Sequence, residues 1–299
     1  MEGLERLERL ESCHLCPREC GVDRSVTVGF CGQPKELRIA KATLHRFEEP
    51  PISGTRGSGT VFFCGCSLRC EFCQNKKISR ASSDGQTVTP SELAEIFLTL
   101  QAEGAHNINL VTPTHFSDGV REALLLAKDR LSIPVVYNTS GYERVEMLRG
   151  LEGLIDVYLP DFKYISPTLA EQYSSAPDYA EVCEQALLEM FRQVGRFELG
   201  EDGLLRRGLM VRHLVLPSAR KDSIAVLDRL AKLLPREEFL LSLMSQYTPE
   251  FALDSPYRAL HRRLTAFEYD SVISPAQALG FLGFMQGRTS ASAKYTPDF

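Results

Sequence analysis

Three cysteines on one short loop are the feature that most constrains this chain. Cys66, Cys70 and Cys73 form a C-x3-C-x2-C array directly after the apolar stretch VFFC. Three thiolates this close in sequence can each bind one iron of a 4Fe–4S cubane, which leaves the fourth iron without a protein ligand. A structural metal site is normally closed by four protein ligands, so the open position favours chemistry at the metal.

A second group of cysteines precedes this loop and consists of Cys13, Cys16, Cys20 and Cys31. Four thiolates can close a tetrahedral zinc site or hold a second iron–sulfur cluster, and a third alternative is an unmetallated or redox-active set; the spacing does not separate these cases. In a reducing cytosol, cysteines are more often metal ligands or catalytic groups than disulfides. The two remaining cysteines of the nine, at positions 64 and 183, are predicted to be small core residues.

Composition excludes several classes of protein. The 299 residues carry a net charge of −5, which makes the chain a poor binder of nucleic acid, and no nucleic-acid partner is expected. No apolar run approaches the ~20 residues of a membrane-spanning helix, so no membrane association is expected. The first residues alternate Glu and Arg with Leu, unlike a signal peptide, and predict an amphipathic helix over 1–12. We therefore expect a cytoplasmic protein.

The chain after residue 60 alternates between apolar runs typical of buried strands and periodic patterns typical of helices. Strands are predicted at 61–64, 108–112, 135–138, 155–159, 208–216 and 239–244. Further strands are predicted near 37–44 and 281–286. This alternation predicts a parallel sheet, either a partial barrel or a doubly wound sheet. Residues 1–60 are predicted to form a cysteine-rich N-terminal extension, and residues 61–299 to form one catalytic domain.

Polar segments follow the predicted strands. In parallel barrels the chemistry lies at the carboxyl ends of the strands, so these segments are expected to meet at one site. After the three-cysteine loop come the residues Thr112 to His115, Asn138 to Gly141, Asp161 with Lys163, Arg212, and Gln246 with Tyr247.

The cysteine array, with the aromatic Phe72 before its last cysteine, resembles the signature C-x3-C-x-aromatic-C of the radical S-adenosylmethionine (SAM) superfamily. Segments such as CPRECGV, EEPPISG, LPDFKY and VRHLVLP resemble the branch that contains pyruvate formate-lyase-activating enzyme, and especially its PflX-type relatives. The resemblance implies an α/β fold, an incomplete (β/α)6 radical-SAM barrel, with a 4Fe–4S cluster on the three cysteines. It also implies reductive cleavage of SAM to a 5′-deoxyadenosyl radical that abstracts hydrogen from a substrate.

The resemblance further implies which side chains contact SAM. Phe72 would flank the adenine. Asn138 and Ser140 lie in N-T-S-G, which resembles the D-T-N-G segment of the activating enzymes. Asp161 and Lys163 match a D-x-K segment, in which the aspartate can accept from ribose hydroxyls and the lysine can pair with the methionyl carboxylate.

Three further SAM contacts are implied at positions that match the family to different degrees. Arg212 matches the arginine of I-R-x-V-V-x-P and would clamp a carboxylate. The glutamate-bearing G-G-E-P segment, which receives the ammonium group, is replaced by a segment with Thr112 and Thr114, whose hydroxyls and carbonyls can accept hydrogen bonds. Gln246 or Tyr247 stands in place of a histidine after the sixth strand.

The implied partners are a low-potential electron donor, flavodoxin or ferredoxin, and a glycyl-radical enzyme whose backbone glycine loses hydrogen. Two alternatives stay open. One is radical modification of a small metabolite, another peptide or RNA. The other is an iron–sulfur regulator or electron carrier that does not turn over SAM.

Overall fold

Seven parallel strands form the centre of the computed structural model, which describes residues 12–80 and 85–287. In spatial order they are β2 (Ser58–Phe63), β4 (Ile108–Val111), β5 (Val135–Thr139), β6 (Val157–Pro160), β8 (Leu205–Leu214), β9 (Leu240–Met244) and β10 (Gly283–Met285). Strands β2, β4, β5, β6 and β9 are buried along their whole length. Both faces of these strands are shielded from water, which explains why the strands are continuous apolar runs.

The N-terminal extension contributes to the same sheet. Strand β1 (Leu37–His45) pairs antiparallel with β2, and β3 (Gln86–Val88) pairs antiparallel with β1. The short strand β7 (Glu198–Leu199) pairs with β8. In the part of the chain that the structure describes, β3 and β10 are the two ends of the sheet and no ladder joins them. The barrel is therefore incomplete, which confirms the predicted fold class.

Most of the helices connect successive parallel strands, and the first of them stands between the antiparallel strands β1 and β2. They are α1 (Pro50–Ser53), α2 (Lys76–Arg80), α3 (Pro90–Ala102), α4 (Ser117–Ala127), α5 (Val145–Gly150), α6 (Pro167–Ser174), α7 (Tyr179–Val194), α8 (Arg220–Leu233) and α9 (Ala266–Ala278). Helix α3 begins with a capping box, because the Thr89 hydroxyl accepts from the amide of Glu92 while the Glu92 carboxylate accepts from the amide of Thr89. The same arrangement starts α9 at Thr265 and Glu268.

The structure agrees with the predicted strands and adds elements that the sequence pattern did not indicate. All six predicted core strands are present, and the predicted segments 37–44 and 281–286 contain β1 and β10. Helix α6 and the short strand β3 were not predicted. The predicted helix over 1–12 lies almost wholly outside the described residues. The predicted boundary at residue 60 falls inside β2, so the division into two parts remains a prediction.

No helix in the described part of the chain combines the length and apolar character that crossing a bilayer requires.

Candidate functional site

The three-cysteine loop begins where β2 ends, at a turn that requires glycine. Gly65 has φ +80°, and a Cβ at this position would lie 2.6 Å from the carbonyl oxygen of Cys31. Further along, the amide of Cys73 donates to the carbonyl of Cys70 at 3.2 Å. Left-handed backbone is costly for residues with a Cβ, so Gly65 lets the chain reverse against the N-terminal extension. The loop therefore leaves the sheet in tight contact with the segment around Cys31.

Cys66 and Cys70 are buried and Cys73 is partly exposed, and the three thiols lie close enough for their charges to interact. Burial raises the pKa of each thiol, and the charge of a neighbouring member of the set raises it further. The positive charge of Lys163 acts to lower all three pKa values. The Ser174 hydroxyl donates to Cys70 Sγ at 3.1 Å. Within residues 12–80 and 85–287, no three His, Cys, Asp or Glu side chains converge as the ligands of a single ion do.

A cavity of about 220 Å³ lies beside this loop at the carboxyl ends of the parallel strands. Its lining contains the three cysteines and eight of the nine side chains predicted to contact a cofactor. These eight are Phe72, Thr112, Asn138, Ser140, Asp161, Lys163, Arg212 and Gln246. The sheet brings them together because they lie at or after the carboxyl-terminal parts of six parallel strands, β2, β4, β5, β6, β8 and β9. Their individual roles stay predictions.

Asp161 stands between two cations in this cavity. Its carboxylate accepts from Lys163 Nζ at 2.5 Å and from Arg212 Nε at 2.9 Å. A second nitrogen of Arg212 donates to Asn138 Oδ1 at 2.6 Å. Burial acts to raise the pKa of Asp161, but Arg212 and Lys163 outweigh it and lower the pKa below its ordinary value. Asp161 is therefore ionised at neutral pH, and one carboxylate serves two cations.

Glu48 is a cavity residue that the sequence reasoning missed. It follows β1, and its carboxylate accepts from Asn109 Nδ2 at 3.1 Å and lies 3.4 Å from an Arg212 nitrogen. Burial raises its pKa, while Arg212 acts to lower it. The available signal was the acidic pair before two prolines in EEPPISG. The acidic pair did not indicate that Glu48 would contact Arg212, which lies 164 residues further along the chain.

Thr114 is the one predicted cofactor contact that the structure does not bring to the cavity. Its hydroxyl donates to the Glu143 carboxylate at 2.5 Å, and Thr139 and Tyr137 donate to the same carboxylate. Glu143 is buried, which raises its pKa to about 7 against the hydrogen bonds that lower it. No sequence motif indicated this buried carboxyl group. It lies behind the site and joins the segments after β4 and β5.

Aromatic and amide side chains complete the cavity. The ring of Phe72 lies 6.3 Å from that of Tyr247 and 6.4 Å from that of Tyr173. Gln246 Oε1 accepts from Gln286 Nε2 at 3.1 Å. Tyr247, the alternative prediction for this position, instead donates its hydroxyl to a backbone carbonyl within the core. Phe72 on the cysteine loop is therefore one of the apolar side chains that line the cavity, together with Phe47, Phe62, Val111, Leu214 and Met244.

Thr112 ends β4 in a left-handed conformation, with φ +60°. Its amide donates to the carbonyl of Asn138 at 2.9 Å, which holds this backbone at the cavity. A β-branched residue with positive φ is a true outlier and costs about 1–3 kcal/mol, and such residues cluster at functional sites.

The N-terminal cysteines also lie together, beyond the cavity lining. Electrostatic interactions connect Cys16 with Cys13, Cys20 and Cys31. The two other cysteines are core residues: Cys64 is 5% exposed and Cys183 is fully buried in α7.

Comparison with known proteins gives consistent matches. A family model described as "Radical SAM superfamily" matches residues 60–196. The uncharacterized protein MJ0674 of Methanocaldococcus jannaschii is 31% identical over 278 residues, which cover 89% of this chain and 75% of that protein. The uncharacterized protein MJ0808 of the same organism is 24% identical over 191 residues, which cover 58% of this chain and 53% of that protein.

Two solved structures are similar at low identity. A domain of pyruvate-formate lyase-activating enzyme from Bacteroides vulgatus has 15% identity and a TM-score of 0.37, and the match covers 66% of this chain and 91% of the domain. Methylornithine synthase has 16% identity and a TM-score of 0.47, and the match covers 94% of this chain and 70% of that one.

Proposed function

We propose that this chain, which belongs to the radical SAM superfamily, holds a 4Fe–4S cluster on Cys66, Cys70 and Cys73 and binds SAM in the adjoining cavity. The superfamily implies an enzyme with both of these groups. When reduced, the cluster would supply one electron to SAM, which cleaves SAM to methionine and a 5′-deoxyadenosyl radical. The radical would take a hydrogen atom from the substrate. The observation that carries the proposal is the convergence of three thiols and two buried cations on one cavity.

The residues of the cavity fit these groups. The three thiols are the donors that iron–sulfur clusters require, and they leave one iron open. Ser140 Oγ is buried and, among the described residues, has no hydrogen-bond partner, so it is available to a ligand. Lys163 and Arg212 are 16% and 14% exposed and share Asp161. A carboxylate ligand would give these two cations a further anionic partner, in competition with Glu48 for Arg212.

Each of the remaining side chains has a role in binding SAM. Lys163 and Arg212 pair with the methionyl carboxylate, because the ammonium group of Lys163 and the guanidinium group of Arg212 both reach the cavity, from the neighbouring strands β6 and β8. Asp161 can accept from the ribose hydroxyls, and Asn138 offers a neutral amide beside it. Phe72 packs against the adenine. Thr112 provides backbone acceptors for the ammonium group, and Gln246 closes the far edge.

The first substrate to test is a glycine of a glycyl-radical enzyme, supported by the resemblance of the motifs to the activating enzymes. In this role the chain receives its electron from flavodoxin or ferredoxin and abstracts hydrogen from a backbone glycine. Radical modification of a small metabolite, another peptide or RNA is the second candidate for the same cavity.

SAM cleavage decides between an enzyme and a non-catalytic iron–sulfur protein. The full chain is reconstituted anaerobically with iron and sulfide, reduced with dithionite, and incubated with SAM. We expect 5′-deoxyadenosine to accumulate, measured by liquid chromatography. An intact cluster that forms no 5′-deoxyadenosine would contradict the proposal and favour a regulator or electron carrier.

A pair of buried cysteines gives a matched comparison. Cys70→Ala removes a proposed cluster ligand and should reduce 5′-deoxyadenosine to background. Cys183→Ala removes a buried thiol of α7 that is not a proposed cluster ligand and whose contact with the site is a hydrogen bond to the backbone carbonyl of Asp161 at 3.5 Å, so 5′-deoxyadenosine should still form. Equal losses in the two variants would contradict the assignment of Cys70.

A further inference from the structure

We propose that Glu48 is a specificity-determining residue of the cavity and selects ligands that end in an α-amino acid zwitterion. In this arrangement the ammonium group of the ligand pairs with Glu48, in addition to the backbone acceptors at Thr112, while its carboxylate pairs with Arg212. The inference rests on the proposed function, since the methionyl end of SAM is such a zwitterion. It adds a residue that precedes the barrel strands to those that bind the ligand.

Residues 48–53, here called the plug, fill the interior of the incomplete barrel next to the cavity. They include helix α1, in which Ile52 is fully buried and packs with interior side chains of β5, β6, β8 and β9. The carbonyl of Ile52 accepts from Asn107 Nδ2 at 2.7 Å, and the amide of Glu48 donates to the Ser53 hydroxyl at 2.9 Å. The plug is therefore fixed by apolar packing and by hydrogen bonds to the sheet.

Glu48 is the plug residue that lines the cavity. Val136 and Met210 pack against the plug. Two residues further along the same strands, Asn138 and Arg212 point to the same side, because side chains alternate between the faces of a strand. Asn138 Nδ2 donates to Glu48 at 3.4 Å, and Arg212 Nη1 lies 3.4 Å from the Glu48 carboxylate. Glu48 therefore closes the cavity on the side of the plug, beside residues assigned to SAM.

Charges of alternating sign follow one another along this wall of the cavity. Lys163 pairs with Asp161, Asp161 with Arg212 at 2.9 Å, and Arg212 with Glu48 at 3.4 Å. All four side chains are at most 16% exposed. Asp161 has two cationic partners, whereas Glu48 stands at the end of the series beside Arg212. A cation that the ligand brings can therefore extend the series at Glu48.

A ligand carboxylate that takes Arg212 separates Glu48 from its cation. Loss of one partner of a buried ion pair is costly, because the remaining charge is left without compensation. A zwitterionic ligand supplies a new cation, since its ammonium group lies on the carbon next to its carboxylate. Burial raises the pKa of Glu48 and Arg212 opposes the shift, so an ammonium group in the same place also favours the ionised carboxylate. A ligand that has only a carboxylate offers no such exchange.

Asn109 holds the carboxylate of Glu48 while its cationic partner changes. Asn109 is fully buried, and its Nδ2 donates to Glu48 Oε1 at 3.1 Å. The contact with Arg212 is made by the other oxygen, Oε2. Oε2 can therefore exchange a guanidinium for an ammonium group without any displacement of the plug.

The test removes the charge of the ligand and the charge of the residue in turn and measures binding. The full chain, reconstituted anaerobically with iron and sulfide, is titrated in a calorimeter with S-adenosylhomocysteine and with its deamino analogue, in which hydrogen replaces the amino group. The wild type should bind S-adenosylhomocysteine at least about tenfold more tightly than the analogue. In Glu48→Gln this ratio should fall below about threefold. The same ratio in both proteins, or equal binding of the two ligands by the wild type, overturns the inference.

Glu49→Gln is the matched control, because Glu49 is a buried neighbour whose charge also interacts with Arg212 but which lies outside the cavity lining. It should keep the wild-type ratio, and an equal fall in both variants overturns the inference. If Glu48→Gln does not fold, Glu48→Asp decides. It keeps the charge but withdraws the carboxylate by one methylene, so the ratio should fall at least about threefold, and an unchanged ratio overturns the inference.

Methylthioadenosine, which lacks the whole amino acid end, separates this inference from the proposed function. It should bind the wild type and Glu48→Gln with affinities within about twofold of each other. A wild type that binds neither methylthioadenosine nor S-adenosylhomocysteine contradicts the proposed function and the inference together. Binding of both, with a ratio that does not depend on Glu48, overturns the inference alone.

Discussion

Glu143 makes the stability of this fold depend on pH near neutrality. Its carboxyl group is 2% exposed and is held by three hydroxyl groups, and burial raises its pKa from 4.5 to about 7. A carboxyl group with a raised pKa stabilises the fold below its ordinary pKa, and this contribution is lost as the pH rises through about 7. At about 1.4 kcal/mol per pKa unit, the unfolding free energy should fall by about 2.5 kcal/mol between pH 5 and pH 8 because of this group alone.

Glu143→Gln removes the ionisation and retains an acceptor for Thr114 and Thr139. For 299 residues, an unfolding entropy of about 2.1 cal/mol/K per residue converts 2.5 kcal/mol to about 4 °C. Thermal melting of the wild type and the variant is followed at one scan rate at pH 5 and pH 8. The wild type should lose about 4 °C more than the variant over this interval.

Glu146→Gln is the matched control for this prediction, because its side chain is 67% exposed and lies three residues further along. It should keep the pH dependence of the wild type. A parallel loss of melting temperature in the wild type and in Glu143→Gln would refute the reasoning, since it would mean that the buried carboxyl group titrates in the folded state as it does in the unfolded chain.

Three further substitutions, two of them beside the site and one at the start of α3, test interactions that stabilise the fold. Asp161→Asn leaves two buried cations facing an amide, so the melting temperature should fall by roughly 5–8 °C, equivalent to about 3–5 kcal/mol; an unchanged value would contradict the shared ion pair. Gly141→Ala places a Cβ 2.3 Å from the backbone carbonyl oxygen of Asp161 at a residue with φ +78°, so it should lower the unfolding free energy in urea by more than about 2 kcal/mol. The control is Gly150→Ala, whose added Cβ would meet no atom within 4 Å and should change the unfolding free energy by less than about 0.5 kcal/mol. Thr89→Ala removes the capping box of α3 and should cost about 1 kcal/mol in the same assay, and no loss would show that the cap does not stabilise the folded chain.

Much of the fold could be predicted from the sequence because buried parallel strands have a simple pattern. The strands at 108–112 and 135–138 were visible as apolar runs, and the structure has β4 and β5 there. The polar residues that follow such runs are brought to one edge by the sheet itself. This is why Asp161 and Arg212, 51 residues apart, could be assigned to one site before their 2.9 Å contact was known.

The residues that were missed depend on packing that no local pattern records. Glu48 reaches the cavity because the chain turns back after β1, and its contact with Arg212 spans 164 residues. Thr114 was predicted to face the cavity, but the 3₁₀ turn Thr114–Phe116 points its hydroxyl to Glu143 instead. A sequence shows that a segment is polar; which side of a turn faces the ligand is set by the tertiary partners of that turn.

Glu48 is a competitor for one of the two cations of the cavity. Its carboxyl group lies 3.4 Å from an Arg212 nitrogen, and the same guanidinium also binds Asp161 and interacts with the buried Glu49. Burial raises the pKa of Glu48, although Arg212 opposes the shift. A carboxylate ligand that pairs with Arg212 would compete with an ionised Glu48 and would not compete with a protonated one. The side chain that the sequence indicated least is therefore the one that affects how far Arg212 is available to a ligand.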